Sequence, residues 1–130
     1  MTFIDTSAIY ALADRADPNY PVAERCFRAL VEAGEELLTH NYVLVESFAL
    51  LHHRLGLTAA LRFAESCRAF VVKWIGGDLH NEAIAELART RRRAVSLVDQ
   101  VSFLVMREGG VQEALAFDQD FVRAGFRLVR

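Results

Sequence analysis

Lysine is nearly absent from this chain: of its 15 basic residues, all but Lys73 are arginine. Set against 17 acidic residues, they leave a formal net charge of −2. That balance excludes a protein that coats nucleic acid non-specifically, so any such contact must come from a local patch. The arginine bias suits phosphate recognition, because the guanidinium fork pairs with two oxygens at once; a biased genome composition produces it equally well. Cysteine is scarce too. Cys26 and Cys67 lie far apart, within helical patterns and without C-x-x-C spacing, which excludes the usual metal and redox motifs and leaves two buried free thiols in a reducing compartment. His40, His52, His53 and His80 have no zinc-like spacing with them. No apolar run approaches the roughly 18 residues of a membrane span, and no signal peptide precedes the first strand. The expected location is the cytoplasm. Repeats, low-complexity tracts and linkers are also missing.

What remains is 130 residues, 53% of them hydrophobic, enough for one domain spanning 1–130 with a core of its own. Short apolar runs alternate with longer amphipathic ones. Phe3-Ile4 predicts a strand ending at Asp5, and Thr6 to Asp14 a helix capped by Asp5 or Thr6. Pro21 to Ala33 predicts a second helix, with proline in its first turn and Gly34 after its end. Glu36 to Thr39 follows as a strand, then a helix from a cap at Asn41 to Leu55, stopped by Gly56. Thr58 is the expected cap of a helix to about Cys67, and Phe70 to Trp74 is the clearest strand, β-branched and aromatic. Caps at Asp78 and Ser96 begin helices to about Arg91 and Glu108; Glu113 to Phe117 and Phe126 to Val129 are the last strands. Alternation of this kind predicts βαβ units. The expected fold is α/β, a three-layer α/β/α sandwich with a mainly parallel sheet of about five short strands.

Open sheets of this class bind ligands beyond the carboxyl ends of their strands, and four acids fall there. Asp5 ends the first strand and Asp118 follows the fourth; Asp99 lies in the first turn of the helix that Ser96 caps, and Glu46 in the helix after the second strand. Each has an ordinary structural explanation. Asp5 serves as a cap, Asp99 complements the helix dipole, Glu46 suits an exposed helix face, and Asp118 and Asp120 suit a turn. Their joint placement is what points to chemistry. Carboxylates packed together raise one another's pKa, and a hard cation such as Mg2+ or Mn2+ removes that penalty. Such ions activate water for in-line attack on phosphorus and stabilise the leaving oxygen, so no side-chain nucleophile is needed.

The surrounding residues carry a resemblance. Phe3-Ile4-Asp5-Thr6-Ser7 resembles the first motif of PIN domains, and Asn41-Tyr42-Val43-Leu44-Val45-Glu46 the second. Ser96-Leu97-Val98-Asp99 resembles the third, and Ala116-Phe117-Asp118-Gln119-Asp120-Phe121 the fourth. All four occur in order across essentially the whole chain, and its length resembles that of VapC-type ribonuclease toxins of prokaryotic toxin–antitoxin pairs. The resemblance implies a PIN-like fold and a Mg2+- or Mn2+-dependent endoribonuclease acting on single-stranded or loop RNA. It further implies a homodimer and a cognate antitoxin. It carries over Asp5, Glu46, Asp99 and Asp118 as the catalytic and metal-binding quartet, with Asp5 and Asp99 foremost. Thr6, Ser96 and Asp120 are then supporting residues. The chain departs from the pattern at Ala116, where many relatives have Thr or Ser, and Asp120 is an extra acid able to assist or replace Asp118.

Arg91, Arg92 and Arg93, with Arg89, form the one basic cluster, available for RNA phosphates or simply a solvated helix end. His53 shares a helix face with Glu46, and Phe48, Leu51, Leu55, Leu57, Leu61 and Phe63 make an apolar helix pair, suited to core packing or a dimer interface. Other functions share the fold. An RNA-processing nuclease would look the same. A phosphoacceptor signalling domain needs an aspartate ending its central strand and a late lysine, whereas the central strand here ends Lys73-Trp74 and the last third has no lysine. A non-catalytic binding module has no need of an intact quartet.

Overall fold

In the computed structural model, which describes residues 1–130, five short strands form a single sheet of order β3-β2-β1-β4-β5, in which every pairing is parallel. They are β1 (Thr2–Ile4), β2 (Leu37–His40), β3 (Val71–Lys73), β4 (Glu113–Leu115) and β5 (Arg127–Leu128). The inner strands are buried at nearly every position: Thr2, Phe3 and Ile4 on β1, all four residues of β2, and Ala114 and Leu115 on β4. Strands covered on both faces read as continuous apolar runs for this reason. The strand ending at Lys73, expected to be central, is instead the edge strand β3, and β1 takes the centre; β3 is largely exposed, and its shortness and Lys73 guard that edge against further pairing.

Seven helices flank the sheet: α1 (Thr6–Ala13), α2 (Tyr20–Glu32), α3 (Asn41–Leu55), α4 (Leu57–Ser66), α5 (Gly77–Thr90), α6 (Leu97–Glu108) and α7 (Asp120–Arg123). From β1 the chain steps outward to β2 and β3, then returns across β1 to β4 and β5. Right-handed crossovers in opposite directions place helices on opposite faces. Accordingly α1 packs on α2 and α3, and α3 on α4, while α5 packs on α6. The expected three-layer sandwich is what forms. The strand order reverses at β1, so the carboxyl ends of β1 and β4 frame the switch-point crevice where such sheets bind ligands.

A core of 21 buried residues runs through both layers, with Phe3 and Phe121 its largest fully buried side chains and the Phe103 ring edge-on to Phe121 at 5.1 Å. Several caps differ from expectation. His40, not Asn41, caps α3: its backbone is still extended as the last residue of β2, and its Nδ1 accepts from the Val43 amide at 3.4 Å. Asn41 is thereby freed to bind the Ile75 amide at 2.6 Å, tying α3 to the loop after β3. Gly56, at φ 95°, is the lone residue between α3 and α4, a reversal that requires the left-handed region, so Thr58 falls inside α4. Gly76 takes the cap position of α5, leaving Asp78 in its first turn. Strand β4 ends at Leu115 rather than Phe117, because its pairing with β1 runs out at Ile4. Cys26 is buried, whereas Cys67 is only partly so. No helix is long and apolar enough to cross a membrane.

Candidate active site

Asp5 leaves β1 with extended backbone and becomes the cap of α1. One oxygen, Oδ2, accepts both the Ser7 amide at 3.1 Å and the Ser7 hydroxyl at 2.6 Å. The same hydroxyl accepts from the Phe117 amide at 3.0 Å, across 110 residues of sequence. Ser7 therefore fixes the Asp5 carboxylate and also pins the segment that carries Asp118. Asp5 is buried, and burial raises its pKa; the nearby Glu46 charge pushes in the same direction, opposed by the bonds from Ser7.

Asp99 is held by a reciprocal cap. Its Oδ2 accepts from the Ser96 amide and its own amide donates to the Ser96 hydroxyl, both at 3.0 Å. Such a box anchors the first turn of α6 and leaves Oδ1 without a partner from this motif. Burial, with the charges of Asp5 and Asp118, pushes the Asp99 pKa up to about 6 despite those bonds. The Asp118 Oδ1 accepts from the Asp120 amide at 2.9 Å. Asp120 is buried and paired with Arg123 at 2.8 Å. One carboxylate oxygen from each of Asp99, Asp118 and Asp120 lies within 4.8 Å of the others.

The structure thus brings Asp5, Asp99 and Asp118 together at the β1–β4 crevice, and Glu46, exposed on α3, close enough to act on Asp5. Asp120, expected as a supporting acid able to assist or replace Asp118, joins the cluster directly. The Thr6 side chain bonds none of the acids. Its hydroxyl accepts from Ser47 at 3.2 Å, which seats α1 against α3 one residue beyond Glu46. His53 is exposed in the last turn of α3. Of the basic run, Arg91 ends α5 in the left-handed conformation and bonds the Ala88 carbonyl, Arg93 is exposed, and Arg92 turns into a cleft beside α6. The role of Ser7 had no assignment in advance, although its spacing from Asp5, two residues on at a helix start, is the signature of this cap.

A PIN-domain family model matches residues 2–127. The chain belongs to the PIN-domain family. This PIN domain is 39% identical, over its full length and 98% of the relative's, to the 23S rRNA-specific endonuclease VapC20 of Mycobacterium tuberculosis, known from two strains. The crystal structure of Mycobacterium tuberculosis VapC20, described as a sarcin-ricin-loop-cleaving toxin, superimposes with a TM-score of 0.86 at 36% identity, covering 97% of this chain and 96% of that one. Likeness at that level places this PIN domain among the VapC-type endoribonuclease toxins.

Proposed function

We propose that this protein hydrolyses a phosphodiester in a single-stranded loop of structured RNA, with Mg2+ or Mn2+ at the acidic cluster, as the toxin of a toxin–antitoxin pair. The observation that carries the reading is the convergence of Asp5, Asp99, Asp118 and Asp120 at the switch-point crevice of a VapC-like chain. The donor set fits a hard divalent cation. All its donors are carboxylate oxygens, and the raised pKa of Asp99 comes first from burial and then from the charges of Asp5 and Asp118, both of which a cation would offset. Asp5, Asp99 and Asp118 would hold it, with Asp120 beside them. When bound, the cation supplies charge stabilisation at the phosphate and activation of water.

The chain's own groups account for positioning. Ser7 aims Asp5, and the Ser96 box aims Asp99, so neither carboxylate must be ordered when substrate arrives. Arg123 neutralises part of Asp120 and so lowers the cost of gathering the acids. Glu46 is the exposed carboxylate of the group and is free to accept, at a carboxylate oxygen, the proton released as water attacks phosphorus.

VapC20 is named for 23S rRNA, and a related ribosomal RNA loop is the substrate we propose here. An apolar groove of about 400 Å³ lined by Ile9, Leu12, Phe27, Phe63 and Phe70 suits an amphipathic segment of the antitoxin. The exposed Leu55, Leu57 and Leu61 suit a homodimer contact. Residues 1–130 act as one domain in the cytoplasm. The test is incubation with a pool of structured RNAs, with and without manganese, followed by mapping of new ends. Discrete manganese-dependent cuts in loops are expected, and intact RNA would refute the activity. Solo expression should arrest growth, and co-expression with a neighbouring small gene should restore it; normal growth with folded protein would refute the toxin role alone.

A further inference from the structure

Next to the acids lies a cleft of the opposite charge. About 210 Å³ in volume, it is bordered by α5, α6 and α7, and Arg89, Arg92, Arg107 and Arg123 converge on it, with Glu86 the one acid in its wall. Three of these arginines are already fixed. Arg89 pairs with Glu86, Arg123 with Asp120, and Arg107 donates to the Ala124 carbonyl at 3.2 Å while its guanidinium lies over the Phe126 ring, 5.5 Å from the centroid. A guanidinium has five donors, so each keeps N–H groups beyond those contacts. Arg92 is exposed and has no ion-pair partner within the chain. The floor of the cleft includes Gln100, only 5% exposed, whose side-chain amide has no hydrogen-bond partner within the chain. No buried side-chain polar atom of the protein is left unbonded, so the unpaired Gln100 amide keeps its contact with solvent in the open cleft, where a ligand can reach it.

We infer that this cleft binds a backbone phosphate of the RNA strand next to the one cleaved, with Arg92 and Arg107 gripping its oxygens and the Gln100 amide donating from below. The inference rests on the ribonuclease reading. Two links tie the cleft to the acidic cluster: Gln100 follows Asp99 on α6, and Arg123 bonds Asp120. A strand anchored here therefore passes directly over the acids. Arginine forks beside a neutral amide donor match the several oxygens of a phosphodiester. The site also answers an electrostatic problem, since a chain of net charge −2 with gathered carboxylates repels RNA at its own active site unless a local cation patch offsets it. These contacts carry no base information; they set the register of the strand.

The test uses a labelled RNA hairpin with a single-stranded loop. Binding is followed by fluorescence anisotropy in calcium over a range of salt, and cleavage in manganese. Arg92→Gln should weaken binding about tenfold, the effect of losing one charge-assisted phosphate contact. It should also lower the slope of log Kd against log salt by about 1. KM should rise while kcat at saturating RNA stays at the wild-type value. Arg92→Glu should do more, and Arg68→Gln, an exposed arginine on the short turn after α4, should do nothing. Unchanged affinity and salt slope in both Arg92 variants would overturn the inference. So would a fall in kcat with Kd intact, and so would loss of antitoxin binding alone, which would make the cleft a protein contact. Wild-type cleavage with no Arg92 effect removes the cleft and leaves the nuclease. Arg92-dependent RNA binding without cleavage supports the cleft and removes the nuclease.

Discussion

His40 should make the fold sensitive to acid. It sits at the carboxyl end of β2 with no exposed surface, stacked on Phe3 at 5.7 Å between ring centres. Its Nδ1 accepts the Val43 amide, so Nε2 carries the proton and donates to the Ser102 hydroxyl at 2.8 Å; that hydroxyl in turn donates to the Val98 carbonyl at 2.8 Å. The chain of bonds admits only the neutral ring, because a proton on Nδ1 would face an N–H donor. Burial lowers the pKa to about 4 from an ordinary 6.5. The folded state then binds fewer protons than the unfolded chain between those values, so stability is complete above about pH 6.5 and falls as the pH drops toward 4. A gap of 2.5 units, from 6.5 to about 4, corresponds to a loss on the order of 3 kcal/mol, with about 2 kcal/mol gone by about pH 5. Asp99 opposes this. Its pKa is raised, so without metal its charge destabilises the fold above about pH 6, and acidification relieves that by about 1 kcal/mol once its partial exposure is discounted. Urea unfolding in EDTA should therefore show a shallow net loss from about pH 7.5 to about pH 5 in wild type, and a loss of about 2 kcal/mol in Asp99→Asn. In Asp99→Asn carrying His40→Gln the loss should largely vanish. The other histidines contribute equally to both Asp99→Asn backgrounds and cancel in the difference. If the His40→Gln background keeps the same pH slope, the ring titrates elsewhere and the argument from its bonds fails.

Three further outcomes follow from the site. Asp118→Asn should lower kcat by at least about a hundredfold with little change in stability; Asp120→Asn should lose the Arg123 pair and cost stability as well, with a smaller effect on kcat. Parallel melts and single-turnover assays rank the two, and the reverse ranking for kcat would make Asp120 the principal acid. Manganese at about a hundred times its Kd should stabilise the wild type by about 2.7 kcal/mol, a rise of several degrees in Tm. That rise should shrink or vanish in Asp99→Asn and persist in Glu65→Gln, an exposed acid of α4; a full shift in Asp99→Asn would remove Asp99 from the metal site. Ser7→Ala should cost about 1–3 kcal/mol, since it strands the Phe117 amide and loosens Asp5. It should lower kcat as well, and wild-type activity in that variant would show that Ser7 has no part in aiming Asp5.

Much of this protein is written locally. The alternation of elements, the capping of α1 by Asp5 and of α6 by Ser96, and the position of acids just past strand ends depend on residues within about four positions of one another, and such patterns survive in the sequence. The tertiary structure alone decided which of those acids share one space. Asp120 enters the cluster because β4 stops at Leu115 and the chain turns early into α7. His40 rather than Asn41 caps α3 because Ser102, 62 residues away, fixes the imidazole tautomer. The run Arg91–Arg93 looked like one basic patch, yet only Arg92 turns into the cleft with Arg107 and Arg123, which come from two other helices. Those meetings follow from the strand order β3-β2-β1-β4-β5. Burial of apolar surface over the whole chain sets that order, and no short stretch of sequence records it.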